Sequence, residues 1–163
     1  MRFFISPDIK KNTLLRLIIV FTVIFFVFLW LTSLLLYLEV GFSPQGVAEY
    51  YRGSEESFRQ PKSYLGMLQE AHFHFFAMAI ILVTLNHLLL FTDIGNRWKL
   101  VLIVSSFLSA LGDISSGWLI RYVSPAFAYL KIASFVVLLT TLAILMIIVI
   151  WYLYSSQKTA YNK

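Results

Sequence analysis

Cysteine is absent from all 163 residues, and charged residues make up only 13% of them. The first absence removes disulfides, thiolate nucleophiles, thioether haem attachment and iron–sulfur ligation together. Any metal would have to use His, carboxylate or Met. The second, beside a hydrophobic content of 60%, lies outside the range of a water-soluble domain of this size. No HExxH run and no Ser-His-Asp arrangement is present, which argues against a stand-alone hydrolase. There is no fixed-period repeat and no low-complexity tract.

What is present is apolar length. Four stretches, about 14–38, 66–91, 99–121 and 126–154, each reach the roughly 20 residues needed to cross a hydrocarbon core. The first exceeds the roughly 7–15 residues of a signal-peptide core and has no small-residue cleavage site, so it reads as a helix that stays. The link FTDIGNRWK, in which Gly95-Asn96 reads as a stop for the second span, and the link RYVSPAF are short, which makes neighbouring helices antiparallel. The expected fold is an all-α, up-down-up-down four-helix membrane bundle forming a single transmembrane domain over 1–163. In the loop 40–65, Ser43, Pro44 and Gly53 predict a short interfacial helix over 44–52, and Ser63 is placed to cap the second span.

The formal charge of +5 is not a nucleic-acid signal, because the bases gather at the span ends. Arg2, Lys10, Lys11, Arg16, Arg97, Lys99, Lys158 and Lys163 mark one side. Arg52, Arg59, Lys62 and Arg121 lie on the other, diluted by Glu49, Glu55 and Glu56. By the positive-inside rule both termini are cytoplasmic and the 40–65 loop faces outward. Trp30, Trp98, Trp118 and Trp151 suit membrane anchoring, and most other aromatics read as bulk filling the helix contacts.

Ionisable residues inside such helices cost about 2.5–3.5 kcal/mol each unless they meet water, the bundle interior or one another. Glu70, His72 and His74 enter from the outer end of the second span. Asp113 lies about 12 Å below Arg121 in the third, Lys131 follows Pro125 in the fourth, and Glu39 ends the first. Every span therefore sends a titratable side chain to the same half of the bundle. Glu70 and His74 share a helix face, whereas His72 is about 160° round from His74. His87, with Asn86 and Thr84, lies 15 residues beyond His72. Glu70, His74 and Asp113 are the candidate metal ligands. The same residues suit a quinol, with His74 accepting a proton and a carboxylate orienting it. A bis-His haem inside one copy lacks an opposing His, so haem would need a ligand from a partner. Arg121, Lys131, His72 and His87 complete the candidate cofactor-binding set. In the third span SSFLSALGDISSG places Ser105, Ser109, Gly112, Asp113 and Ser116 near one face, where another helix can approach closely.

The runs SPQGVAEYYRG, PKS, EAHFHFF and NHLLLF, within residues 39–91, resemble a group of small, uncharacterised bacterial four-helix inner-membrane proteins. That resemblance implies a multi-pass protein of the bacterial inner membrane in the company of respiratory or cytochrome proteins. Three readings stand side by side. One is a respiratory or electron-transfer subunit with an outer-half His/carboxylate site for a quinol, a metal or a haem shared with a membrane or periplasmic partner. Another is an assembly subunit whose charges only pin helices together. The third is a small proton or ion translocator. Membrane lipid is a partner in all three.

Overall fold

The computed structural model describes residue 9, residues 12–56 and residues 58–155. Arg2, Lys10, Lys11, Lys158 and Lys163, on which part of the orientation argument rests, lie outside the described residues. In lipid a backbone must satisfy its own polar groups, so long apolar runs free of proline become helices. Four do so here: α1 Thr13–Val40, α3 Tyr64–Leu90, α4 Asn96–Tyr122 and α5 Ala128–Tyr154, with the short α2 Pro44–Arg52 between the first two. The four long helices have 27 or 28 residues and so reach about 40 Å, enough to cross a bilayer. The described residues contain no β-strand, only a bridge between Ser54 and Arg59. The protein is therefore an all-helical, multi-pass membrane protein whose apolar helix faces contact lipid.

Local chemistry sets the helix ends. The Ser43 side chain accepts from Gly46 N, Pro44 fills the first turn, and Gly53 ends α2 at φ 83°, a conformation that favours glycine. Ser63 accepts from Gly66 N at 3.1 Å and starts α3. Gly95 and Asn96, expected to stop the second span, instead open α4, because Gly95 takes an extended conformation as its N-cap. The end of α3 is closed by other groups. Thr92 Oγ1 donates to Leu89 O at 2.7 Å, and Lys99 Nζ donates to Leu90 O and Thr92 O at 2.9 and 2.8 Å, satisfying carbonyls the helix leaves open. The last span begins as a 3-10 turn, Pro125–Phe127, before α5.

Contacts between helices fix their directions. Arg16 meets Tyr154, Trp30 meets Leu139 and Tyr37 meets Phe135, so α1 and α5 run oppositely. Tyr64 with Trp118 and Asn86 with Ser106 do the same for α3 and α4. Lys131 with Asp113 sets α4 against α5. One core, rich in Leu82, Leu85, Leu89, Leu142 and Leu145, fills the half away from α2. A second gathers Val47, Tyr51, Met67, Ile120 and Phe135 beneath α2. Between apolar surfaces in lipid, small residues and hydrogen bonds hold helices together. Trp30 Nε1 donates to Leu139 O at 2.8 Å, and Asn86 Nδ2 donates to Ser106 Oγ at 3.1 Å.

The serine stripe of α4 behaves as its spacing implies. Ser109 and Ser116 are buried and return their hydroxyls to their own helix, on Ser105 O at 2.6 Å and Asp113 O at 2.8 Å. At Gly112 a Cβ would stand 2.5 Å from Ser134 Oγ, so α5 lies directly on the glycine. Gly112→Leu is expected to wedge α4 from α5 and cost about 1–3 kcal/mol. The check is a lower thermal midpoint in detergent, partly restored by adding Ser134→Gly.

Candidate functional site

Asp113 and Lys131 form the centre of the polar end. Both side chains are nearly buried, and Lys131 Nζ lies 2.8 Å from Asp113 Oδ1. The same ammonium donates to Asp113 O at 2.9 Å. The side-chain contact is thus an ion pair, while the aligned hydrogen bond runs to the main chain. Neither charge is tolerable alone at this depth, and each supplies what the other lacks.

A second pair comes from the loop. Lys62, just after Pro61, folds back so that its ammonium meets the Glu70 carboxylate on α3. It also sits over the rings of Tyr50 and Tyr51, at 4.1 and 5.1 Å from their centroids, a cation–π arrangement. Burial disfavours the ammonium, but hydrogen bonds to Glu70 and to Tyr50 outweigh it, and the Lys62 pKa is held above its ordinary 10.5. Burial pushes the Tyr51 phenol well above its usual range, so its hydroxyl keeps its proton. Arg121 Nε donates to Lys62 O at 3.0 Å and Arg52 donates to Ile120 O at 3.1 Å, fastening loop and α2 to the end of α4. At Gly117 a Cβ would stand 3.0 Å from the Tyr51 ring. The missing side chain is what lets α2 seat.

Under this cap lies a cavity of about 320 Å³. Its walls are α1, from Leu29 to Val40, and α3, from Glu70 to Ile81, and its floor is α5, from Lys131 to Leu142. The deep part is apolar, lined by Leu29, Met78, Ile81, Leu138 and Leu142. The capped end carries Tyr37, Tyr51, Arg59, Glu70, Asp113 and Lys131. His74 lines it too, although its side chain is exposed. His74 Nδ1 lies 2.9 Å from Glu70 O. A carbonyl oxygen can only accept, so Nδ1 carries a proton, and in the neutral ring Nε2 is the acceptor. A smaller hollow of about 20 Å³, the size of one water, is bounded by Tyr51, Glu70, His74, Asp113 and Lys131.

The expected site residues divide accordingly. Glu70, His74, Asp113 and Lys131 come together, with Glu39 at the rim. His72 is exposed beside Phe73, His87 is exposed beside Phe91 at the opposite end of α3, and Arg121 anchors the loop. None of these three lines the cavity. The candidate metal ligands Glu70, His74 and Asp113 line one cavity without closing on a common point. Among the described residues no three His, Asp or Glu side chains gather closely enough to hold a metal ion. The reason is that each carboxylate faces a lysine, Lys62 or Lys131, in place of the other.

Comparison with known proteins supplies one match. A family model described as a transmembrane helical domain covers residues 41–160. The chain belongs to this transmembrane helical domain family. The matched region holds α2 to α5, and with them both ion pairs, while α1 contributes the remaining cavity wall. No curated protein and no solved structure matches.

In this family member the sequence left several site groups unmarked. Lys62 was visible only as a loop base, eight residues before Glu70. Trp30 read as a membrane anchor and Tyr37 as one of many aromatics, and nothing local shows that both line a cavity. The Lys62 pKa carries a prediction. A raised folded-state value means that the stabilisation is fully present below the ordinary 10.5 and is lost as pH rises through the raised value. Wild type should therefore melt above Lys62→Met by a constant margin from about pH 6 to pH 9, with the margin shrinking only in strong alkali. Parallel thermal melts across pH check it.

Proposed function

We propose that the chain is an integral-membrane subunit of a respiratory or electron-transfer system that binds a quinol-type molecule in the cleft between α1 and α3. The observation that carries this reading is the cleft's polarity along its length. An apolar channel of ring and tail size ends under α2 at hydrogen-bonding groups, which is the layout of an amphiphile with a polar head and an apolar body. The cleft walls belong to membrane-crossing helices, so a lipid-soluble ligand reaches them sideways from the bilayer.

His74 has the chemistry for the head group. Its Nε2 acceptor can take a quinol hydroxyl proton, while Glu70 O holds the ring through Nδ1. Oxidation of a quinol releases two protons and two electrons. The protons leave at the capped end through His74, and the electrons pass to a redox centre on a partner subunit, such as a cytochrome. In this reading the protein sits in a bacterial inner membrane with α2 in the outer interface and both termini cytoplasmic. That orientation follows from Arg16, Arg97 and Lys99 at one end and the acid-diluted bases of the loop at the other.

The assembly reading has its own support, since Lys62–Glu70 and Lys131–Asp113 tie loop to helix and helix to helix. The two readings separate in one assay. A short-chain ubiquinone titrated into the detergent-solubilised protein should quench tryptophan fluorescence saturably, because Trp30 lines the cleft. Ser33→Phe, which fills the cleft from α1, should abolish saturation. His74→Ala should weaken binding about 5–10-fold, as expected for one lost hydrogen bond. Unsaturable quenching indifferent to Ser33→Phe would leave only the assembly role.

A further inference from the structure

The Tyr37 side chain is buried, yet its hydroxyl has no hydrogen-bond partner among the described residues. Its ring cannot swing aside to find one. It is stacked on Phe135 with centroids 3.8 Å apart and planes 10° from parallel, and Phe42 closes on it at 4.9 Å. Buried hydroxyls are ordinarily paired. This one lines the cleft at its polar end, where a ligand could complete it.

The charges around it are balanced. Glu70 is paired with Lys62 and Asp113 with Lys131, and the same wall carries one further acid, Glu39, and one further base, Arg59. An anionic head would need a surplus of cations, and a cationic head a surplus of carboxylates. Neither surplus is offered.

We infer that the cleft selects an uncharged, ring-headed, lipid-soluble molecule and that Tyr37 is the residue that reads it, its hydroxyl donating to a carbonyl or hydroxyl oxygen on the ring. This rests on the quinol-type reading above and narrows it. The ligand class is a neutral quinone or quinol, as distinct from a phospholipid or a charged amphiphile. The ring lies beside the Tyr37–Phe135 stack, and its oxygen takes the place of a missing protein acceptor. Tyr37 is thus a binding residue that spacing and composition do not reveal.

The test uses the full chain in detergent and the tryptophan-quenching titration with short-chain ubiquinone. Tyr37→Phe keeps the ring stack and removes only the hydroxyl, and it should raise Kd about 5–10-fold. In wild type, decyl phosphate and decyltrimethylammonium should both fail to displace the quinone, and Kd should not respond to salt. A Tyr37→Phe protein that binds within about twofold of wild type, or displacement by either charged amphiphile, would overturn the inference. Should Tyr37→Phe fail to fold, as judged by its melt, the competition in wild type still decides. The two levels also fail differently. Quinone uptake that Ser33→Phe does not affect removes the cleft reading altogether. Cleft binding that is lost in Ser33→Phe but unchanged in Tyr37→Phe removes this inference alone.

Discussion

A lysine and an aspartate facing each other between two membrane-crossing helices impose the constraint from which the rest follows. Either charge alone in a bilayer would be costly, so Asp113 and Lys131 have to meet. Their meeting fixes the register of α4 on α5. With that register set, Ser134, about one turn beyond Lys131, lies on Gly112, the neighbour of Asp113. Phe135 then stands where Tyr37 of α1 can stack on it. An interaction that stabilises little by itself, once desolvation is counted, thereby specifies how three helices are aligned.

The loop repeats the device at the α2 end of the bundle. Lys62 turns back onto Glu70 and over two tyrosine rings, and Arg121 holds the same loop residue through its carbonyl. Together the pairs make a lid of compensated charge over an apolar cleft. The pairing of these charges matters chemically as well as structurally, because in the proposed reading it decides which head groups can be desolvated there. In the proposed reading, the Tyr51 hydroxyl, His74 Nε2 and the Tyr37 hydroxyl, which has no partner among the described residues, are the groups that meet the ligand.

Much of the architecture was readable before any coordinates. Apolar length gave the four spans, and Ser43, Pro44, Gly53 and Ser63 gave the ends of α2 and the start of α3, because capping chemistry is local. The convergence of Glu70, His74, Asp113 and Lys131 was also legible, since depth along a helix is a count of residues. What escaped was lateral: which face of α1 meets α5, and where a loop lysine lands. Gly95 and Asn96 were misassigned because the same residue types that end a helix can also begin one. The pairing of the candidate metal ligands with lysines was hidden for a related reason. Spacing can bring carboxylates and a histidine to one level, but it does not say that Lys62 and Lys131 will reach the carboxylates first.

The most direct test of the organising pair is a double-mutant cycle on Asp113 and Lys131, each changed to Ala singly and together, with unfolding followed in detergent. The account predicts that the singles sum to more than the double by about 1.5–3 kcal/mol, because each single leaves one buried charge alone. Additivity within about 0.5 kcal/mol would contradict it, since two uncoupled charges cannot set the register of these helices.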